Sequence, residues 1–201
     1  MIVLIAPEQD VSGEIELLHQ VFQEGLTHYH VRKPAKNRKE YSAYLAQIDV
    51  KYHKCIVIHQ YHELINSYDL KGIHLQEKTR RAHIGAMEEY LENLNSEGKT
   101  ISSSFHYPQE LADCPFPFDY HLLSPVFTSI SKKDYKGQNF DVNHIPKNII
   151  GMGGVNAEKL PKLTELGFKG AGVLGGLWNS KLPIEEFQKM KDHYYKTEYF
   201  N

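Results

Sequence analysis

Two glycine turns, Gly151-Met152-Gly153-Gly154 and Gly175-Gly176, each follow a short apolar run, Asn148-Ile149-Ile150 and Ala171-Gly172-Val173-Leu174. Glycine lets bare backbone N–H groups approach an anion, and a helix opening at the turn adds partial positive charge. One such turn reads equally as an ordinary tight bend, but two in close succession predict a phosphate cradle. Further chemistry-bearing residues sit at or just beyond other short apolar runs: His30 and Arg32, His59 and Gln60, His74 and Gln76, Ser104 and His106, then Ser129, Ser131 and Lys132. Arg32 presents a planar fork of donors matched to phosphate, Lys132 a point charge, and the serines hydroxyls for the remaining oxygens. Neutral imidazoles at His30, His59 and His106 are suited to proton transfer near neutral pH. The set suits a small phosphorylated substrate. Plainer readings compete: Arg32-Lys33 and Lys132-Lys133 as solvated charge pairs, and His74, between Ile73 and Leu75, as a packed strand residue. His59 and His62 lack a carboxylate partner, so no metal site is expected.

Residues so far apart in sequence act together only if the fold gathers them. Eight β-like runs recur, at Ile2–Ala6, Thr27–Val31, Cys55–Ile58, Gly72–Leu75, Thr100–Ser103, Tyr120–Leu123, Asn148–Gly151 and Ala171–Leu174. Amphipathic segments alternate with them, which predicts an α/β protein: a single-domain (β/α)₈ barrel over residues 1–201, with the strand C-termini converging on one mouth. Ile15, Leu18, Val21 and Phe22 share a helical face that Ser12 can cap and Gly25 can end. Met87, Tyr90, Leu91 and Leu94 repeat the pattern. Asn156 can cap a helix carrying Leu160, Leu163 and Leu166, with Pro161 implying an irregular first turn. Ser124–Asp141 is the longest aperiodic stretch, and a loop of that length in a compact domain is usually functional.

A chain of 201 residues with formal net charge −2 and intermixed charges offers no basic stripe for nucleic acid. It contains no apolar run long enough for a membrane span, and Cys55 and Cys114 form no CxxC pair, so a reduced cytoplasmic setting is expected.

Several motifs in order carry a resemblance: THYHVRKP at Thr27–Pro34, KGIHL at Lys71–Leu75, SSFH at Ser103–His106, FDYHLLSPVFTSISKKDYKG from Phe118, GMGGV at Gly151–Val155 and GFKGAGVLGGLW ending at Trp178. Along nearly its whole length the chain resembles the thiamine phosphate synthase/TenI family of (β/α)₈ barrels. The resemblance implies a thiamine-biosynthesis enzyme whose glycine loops bind thiazole phosphate and which joins it to hydroxymethylpyrimidine diphosphate, releasing pyrophosphate. By that resemblance Arg32 contacts the diphosphate and Ser104 the pyrophosphate. Ser129, Ser131 and Lys132 belong to a flexible loop, and Gly153, Gly154 and Gly175 to the thiazole-phosphate loops.

The chain departs from the synthase pattern in places. His30 replaces a pyrimidine-contacting glutamine and Pro34 a lysine. His59-Gln60 stands where synthases carry Asn-Asp, and Lys78 or Thr79 falls near their second magnesium aspartate. Magnesium is thus a possible cofactor without evident carboxylate ligands. Two further readings stay open: a TenI-like thiazole tautomerase, which needs a base other than the usual histidine after strand six, and a catalytically silent thiazole-phosphate-binding or regulatory protein.

Overall fold

The computed structural model describes residues 1–128 and 136–198, with side chains to residue 194. Three expected site residues, Ser129, Ser131 and Lys132, lie outside the described residues. Eight strands run in the order β1 (Ile2–Ile5), β2 (Tyr29–Val31), β3 (Ile56–Ile58), β4 (Gly72–Leu75), β5 (Thr100–Phe105), β6 (Tyr120–Leu123), β7 (Ile149–Met152) and β8 (Gly170–Val173). They close a parallel barrel in sequence order, so the fold is a (β/α)₈ barrel. Registers such as His30↔Val57, His74↔Ser102 and Gly151↔Ala171 follow from that order. Strands buried on both faces need continuous apolar or small side chains, as Ile56-Val57-Ile58 and Gly170-Ala171-Gly172-Val173 supply. Among the described residues no helix joins β6 to β7.

The chain forms two compact units. One comprises Ile5–Ser103 and Pro115–Asp119. Its helices are α1 (Glu14–Gln23), α2 (Arg38–Leu45), α3 (Leu64–Ser67), α4 (Glu77–His83) and α5 (Met87–Asn93). Leu18, Val21 and Phe22 of α1 are buried as their spacing requires. Gly25, at φ 100°, ends the helix, with the Leu26 amide donating to the Val21 carbonyl. Ser12 does not cap α1. Gly13 precedes the helix in the left-handed region, and no side chain caps it. The cause lies at Glu14, whose carboxylate turns inward to accept from Lys33 Nζ at 2.7 Å and Tyr44 Oη at 2.5 Å. Tyr29 and Tyr44 hydroxyls meet at 2.6 Å beside them. Lys33 is fully buried, which corrects the reading of Arg32-Lys33 as a solvated pair.

The other unit comprises Met1–Leu4, Ser104–Cys114 and Tyr120–Asn201. It holds α6 (Pro108–Asp113), α7 (Leu160–Glu165), α8 (Gly175–Trp178) and α9 (Pro183–Glu198). Pro161 is accommodated because a 3₁₀ turn, Ala157–Lys159, precedes α7 and leaves the proline in its first turn. Asn156 does not cap this turn: its Oδ1 is buried without a hydrogen-bond partner, and Glu186 of α9 accepts from the Ala157 amide at 2.8 Å instead. No helix among the described residues is long and apolar enough to cross a membrane.

Removing one member of a buried ion pair strands the other without compensation. Lys33→Ala is therefore expected to cost about 3–5 kcal/mol in urea unfolding, and Lys33→Met combined with Glu14→Gln to recover most of that. A single-variant loss below about 1 kcal/mol, the range of exposed pairs, contradicts the role given to Lys33.

Candidate functional site

In the unit built on Ile5–Ser103, Arg32 lies just beyond β2. Its guanidinium pairs with Glu8, which follows β1, and 35% of its side chain remains exposed. Four further contacts hold this rim. The Lys33 amide donates to Gln60 Oε1 at 3.2 Å. Lys33 Nζ reaches the Gln9 carbonyl at 3.3 Å and Asp10 at 3.1 Å. Lys36 donates to Asp10 at 2.6 Å, which together with Lys33 holds that carboxyl below its ordinary range despite some burial. The buried lysine thus ties the segment after β1 to the segment after β2, placing Glu8 against Arg32.

His30, expected beyond β2, lies within it and is fully buried. Strand alternation explains this: Tyr29 turns to Tyr44 of α2, so His30 takes the opposite face. His30 Nδ1 and His59 Nε2 are 2.9 Å apart, and the His59 ring stacks on His74 at 4.2 Å between centroids. His74 Nδ1 pairs with Ser102 Oγ at 2.8 Å, as its register with Ser102 permits. Burial drives His30 and His59 well below the ordinary imidazole range, with the other histidines adding repulsion, and takes His74 down to about 3. Burial thus favours the neutral form of both His30 and His59.

The second unit brings the glycine loops together. Gly153 and Gly154 adopt φ of 100° and 63°, a region that side chains disfavour. A Cβ on Gly154 would stand 2.2 Å from the Thr128 carbonyl oxygen, and one on Gly176 would stand 2.1 Å from that of Val155. Only bare backbone permits both approaches. The loop after β7 also pairs with the segment after β6, through Val126 N–H to Met152 O at 2.8 Å and Phe127 N–H to Gly153 O at 3.0 Å. Gly175 opens the four-residue α8. Ser104 and His106 stand at the end of β5, both partly exposed. His106 Nδ1 donates to the Ser124 carbonyl at 3.0 Å, which leaves Nε2 as the ring's basic nitrogen. The ends of the β6–β7 connection are pinned together, with Gln138 and Asn139 amides donating to the Pro125 and Val126 carbonyls.

Sequence reasoning missed Glu8 and Ser102. Neither carries a motif, and each is revealed only by the cross-strand partner it meets. At the positions where the family pattern carries magnesium carboxylates, other groups stand. His59 offers nitrogen, Gln60 Oε1 is engaged by the Lys33 amide, Lys78 is exposed, and Glu77 pairs with Arg81. A hard dication requires several oxygens, so this donor set does not suit it.

A closed parallel barrel with touching glycine loops after β7 and β8 defines a (β/α)₈ protein of the kind that handles small ligands at its strand ends. More particularly, residues 2–177 match the thiamine monophosphate synthase family, and the chain belongs to it. Among solved structures it is similar to the thiamine phosphate pyrophosphorylase of Bacteroides thetaiotaomicron, at 26% identity and TM-score 0.71 over 96% of this chain and 95% of that one. The corresponding protein of Pyrococcus furiosus is 15% identical at TM-score 0.74, with coverage of 97% and 95%. The 3-hexulose-6-phosphate synthase of Salmonella typhimurium shares the fold, at 13% identity and TM-score 0.65, covering 97% and 98%. No curated protein matches the chain in sequence.

Buried imidazoles make the fold acid-sensitive. His28 and His62 are held down to about 4 and His74 to about 3, chiefly by burial. All three lie below the value of about 6.5 for an unfolded chain. Between those limits the unfolded chain binds more protons, so this contribution is fully present above about pH 6.5 and is lost as pH falls toward 3. The urea midpoint, measured in chelator, is expected to drop between pH 7.5 and 5; carboxylates such as Asp69, held down to about 2 by Lys54 and Lys99, titrate below that window. An unchanged midpoint contradicts the assignment.

Proposed function

We propose that the chain is a thiamine phosphate synthase-like transferase that couples hydroxymethylpyrimidine diphosphate to thiazole phosphate with release of pyrophosphate. The observation that carries this reading is Arg32, a partly exposed guanidinium paired with Glu8. A planar cation of this kind fits a diphosphate, and an incoming diphosphate exchanges one anionic partner for another. In the reaction the bond between the pyrimidine methylene and the diphosphate oxygen breaks, its electron pair leaves on pyrophosphate, and the thiazole ring nitrogen forms the new bond to carbon. No protein nucleophile takes part. The family resemblance assigns Arg32, Ser104 and Lys132 to offsetting the charge that builds on the leaving group. The amides around Gly153, Gly154 and Gly175 hold the phosphate of the thiazole. No step is assigned to magnesium.

A second reading, thiazole tautomerase, draws on His106. Tautomerases commonly place a histidine after strand six; the corresponding stretch here is Leu123–Phe127, within which the Ser124 carbonyl accepts from His106 at the end of β5. Its Nε2 is the base this reading requires.

The two phosphorylated substrates together, with magnesium added to the buffer, decide between the readings. Thiamine phosphate and pyrophosphate in equal amounts are expected, and Arg32→Ala should lower kcat/KM by about 10²–10³-fold, the loss typical of one charge-stabilising donor. Solvent-proton exchange at the thiazole that disappears in His106→Ala, without coupling, establishes the tautomerase instead. Gly154→Ala is expected to weaken thiazole-phosphate binding in calorimetry more than about tenfold, because the left-handed conformation alone costs about 1–2 kcal/mol. Binding without either reaction would identify a silent phosphate-binding protein. Retained affinity in Gly154→Ala would remove the glycine loop from the site.

A further inference from the structure

Three imidazoles that the proposed transferase chemistry does not use are gathered inside the Ile5–Ser103 unit. His30 and His74 are fully buried and His59 is 7% exposed. One ring nitrogen from each lies within 4.8 Å of the others. A polar ring costs free energy to bury unless its nitrogens are engaged, yet His59 Nδ1 is buried without a hydrogen-bond partner. His74 already has the arrangement common in metal-ligating histidines, with one nitrogen held by an outer oxygen, here Ser102 Oγ at 2.8 Å. Tetrahedral zinc with Zn–N bonds of about 2.0–2.1 Å places its nitrogens roughly 3.3 Å apart, so small ring rotations bring this cluster to a common centre. The residual 7% exposure of His59 puts that member of the cluster nearest solvent. The neighbouring positive charge, Arg32, is paired with Glu8 and so opposes a dication less than a bare guanidinium would.

We propose that His30, His59 and His74 form a three-imidazole binding site for a borderline first-row divalent cation, zinc above all, in a family barrel whose magnesium carboxylates this chain lacks. The donor types decide the cation class: neutral imidazole suits zinc, cobalt and copper, whereas magnesium takes oxygen ligands and keeps its waters. The inference is independent of the transferase reading, because it concerns binding alone.

The test uses the full chain, freed of metal with a chelator and titrated with zinc by calorimetry and with cobalt(II) by visible absorption. One-to-one zinc binding at micromolar concentration is expected, with a cobalt spectrum of low coordination number and no competition from millimolar magnesium. His59→Ala, at the rim of the cluster, should weaken zinc binding at least about 100-fold, and Ser102→Ala about 10–100-fold, the range for an outer-shell partner. His62→Ala, outside the cluster, should leave binding unchanged. Circular dichroism checks that each variant is folded; should His59→Ala not fold, His30→Gln takes its place, judged by loss of the zinc-induced rise in melting temperature. Absence of saturable zinc binding in the folded protein, or binding unchanged in a folded cluster variant, overturns the proposal.

Discussion

Backbone touching backbone at the loops after β7 and β8 is the constraint on which the functional reading turns. Gly154 and Gly176 allow separations from the Thr128 and Val155 carbonyls that no side chain could share. Conformational freedom lost on folding makes such glycines costly, and the close approach of the neighbouring carbonyls explains why no larger residue stands at either position. The short α8 opens at Gly175 in the adjoining segment.

A second constraint organises the other half of the chemistry. The buried Lys33–Glu14 pair, satisfied by the Tyr44 hydroxyl and flanked by that of Tyr29, binds the start of α1 to the strand end that carries Arg32. A buried charge survives only when its partners are held rigidly, so the geometry around Arg32 and Glu8 is inherited from the core rather than from the surface. The barrel therefore presents its cation from a fixed base.

The strand order and the helices carrying Leu18, Val21 and Phe22, then Met87, then Leu160 and Leu163, were legible because parallel strands leave unbroken apolar runs such as Ile56-Val57-Ile58, and helices leave spaced ones. The glycine loops were legible because two of them follow strands in close succession, where one alone reads as a tight turn. Lys33 was not: the same KP-flanked pair reads as solvated until α1 supplies a buried carboxylate, and that partner lies 19 residues away in sequence. His30 and His59 were legible as neighbours of the strand ends but not as an inward-facing cluster, since a shift of one residue in a three-residue strand reverses the face. Asn156 and Ser12 show the same limit at helix ends: Glu186 of α9 takes the Ala157 amide, and Glu14, the first residue of α1, takes the Val11 amide. Asn37-x-x-Glu40, which went unread in the sequence, forms a capping box at the start of α2.

The central claim is that peptide N–H groups of the glycine loops recognise a phosphate ester. Calorimetry of thiazole phosphate against the corresponding dephosphorylated thiazole alcohol tests it most directly, since the two ligands differ only in the anion. The account predicts that the phosphate ester binds at least about 100-fold more tightly, the equivalent of about 2.7 kcal/mol. Equal affinity for the two ligands would contradict it.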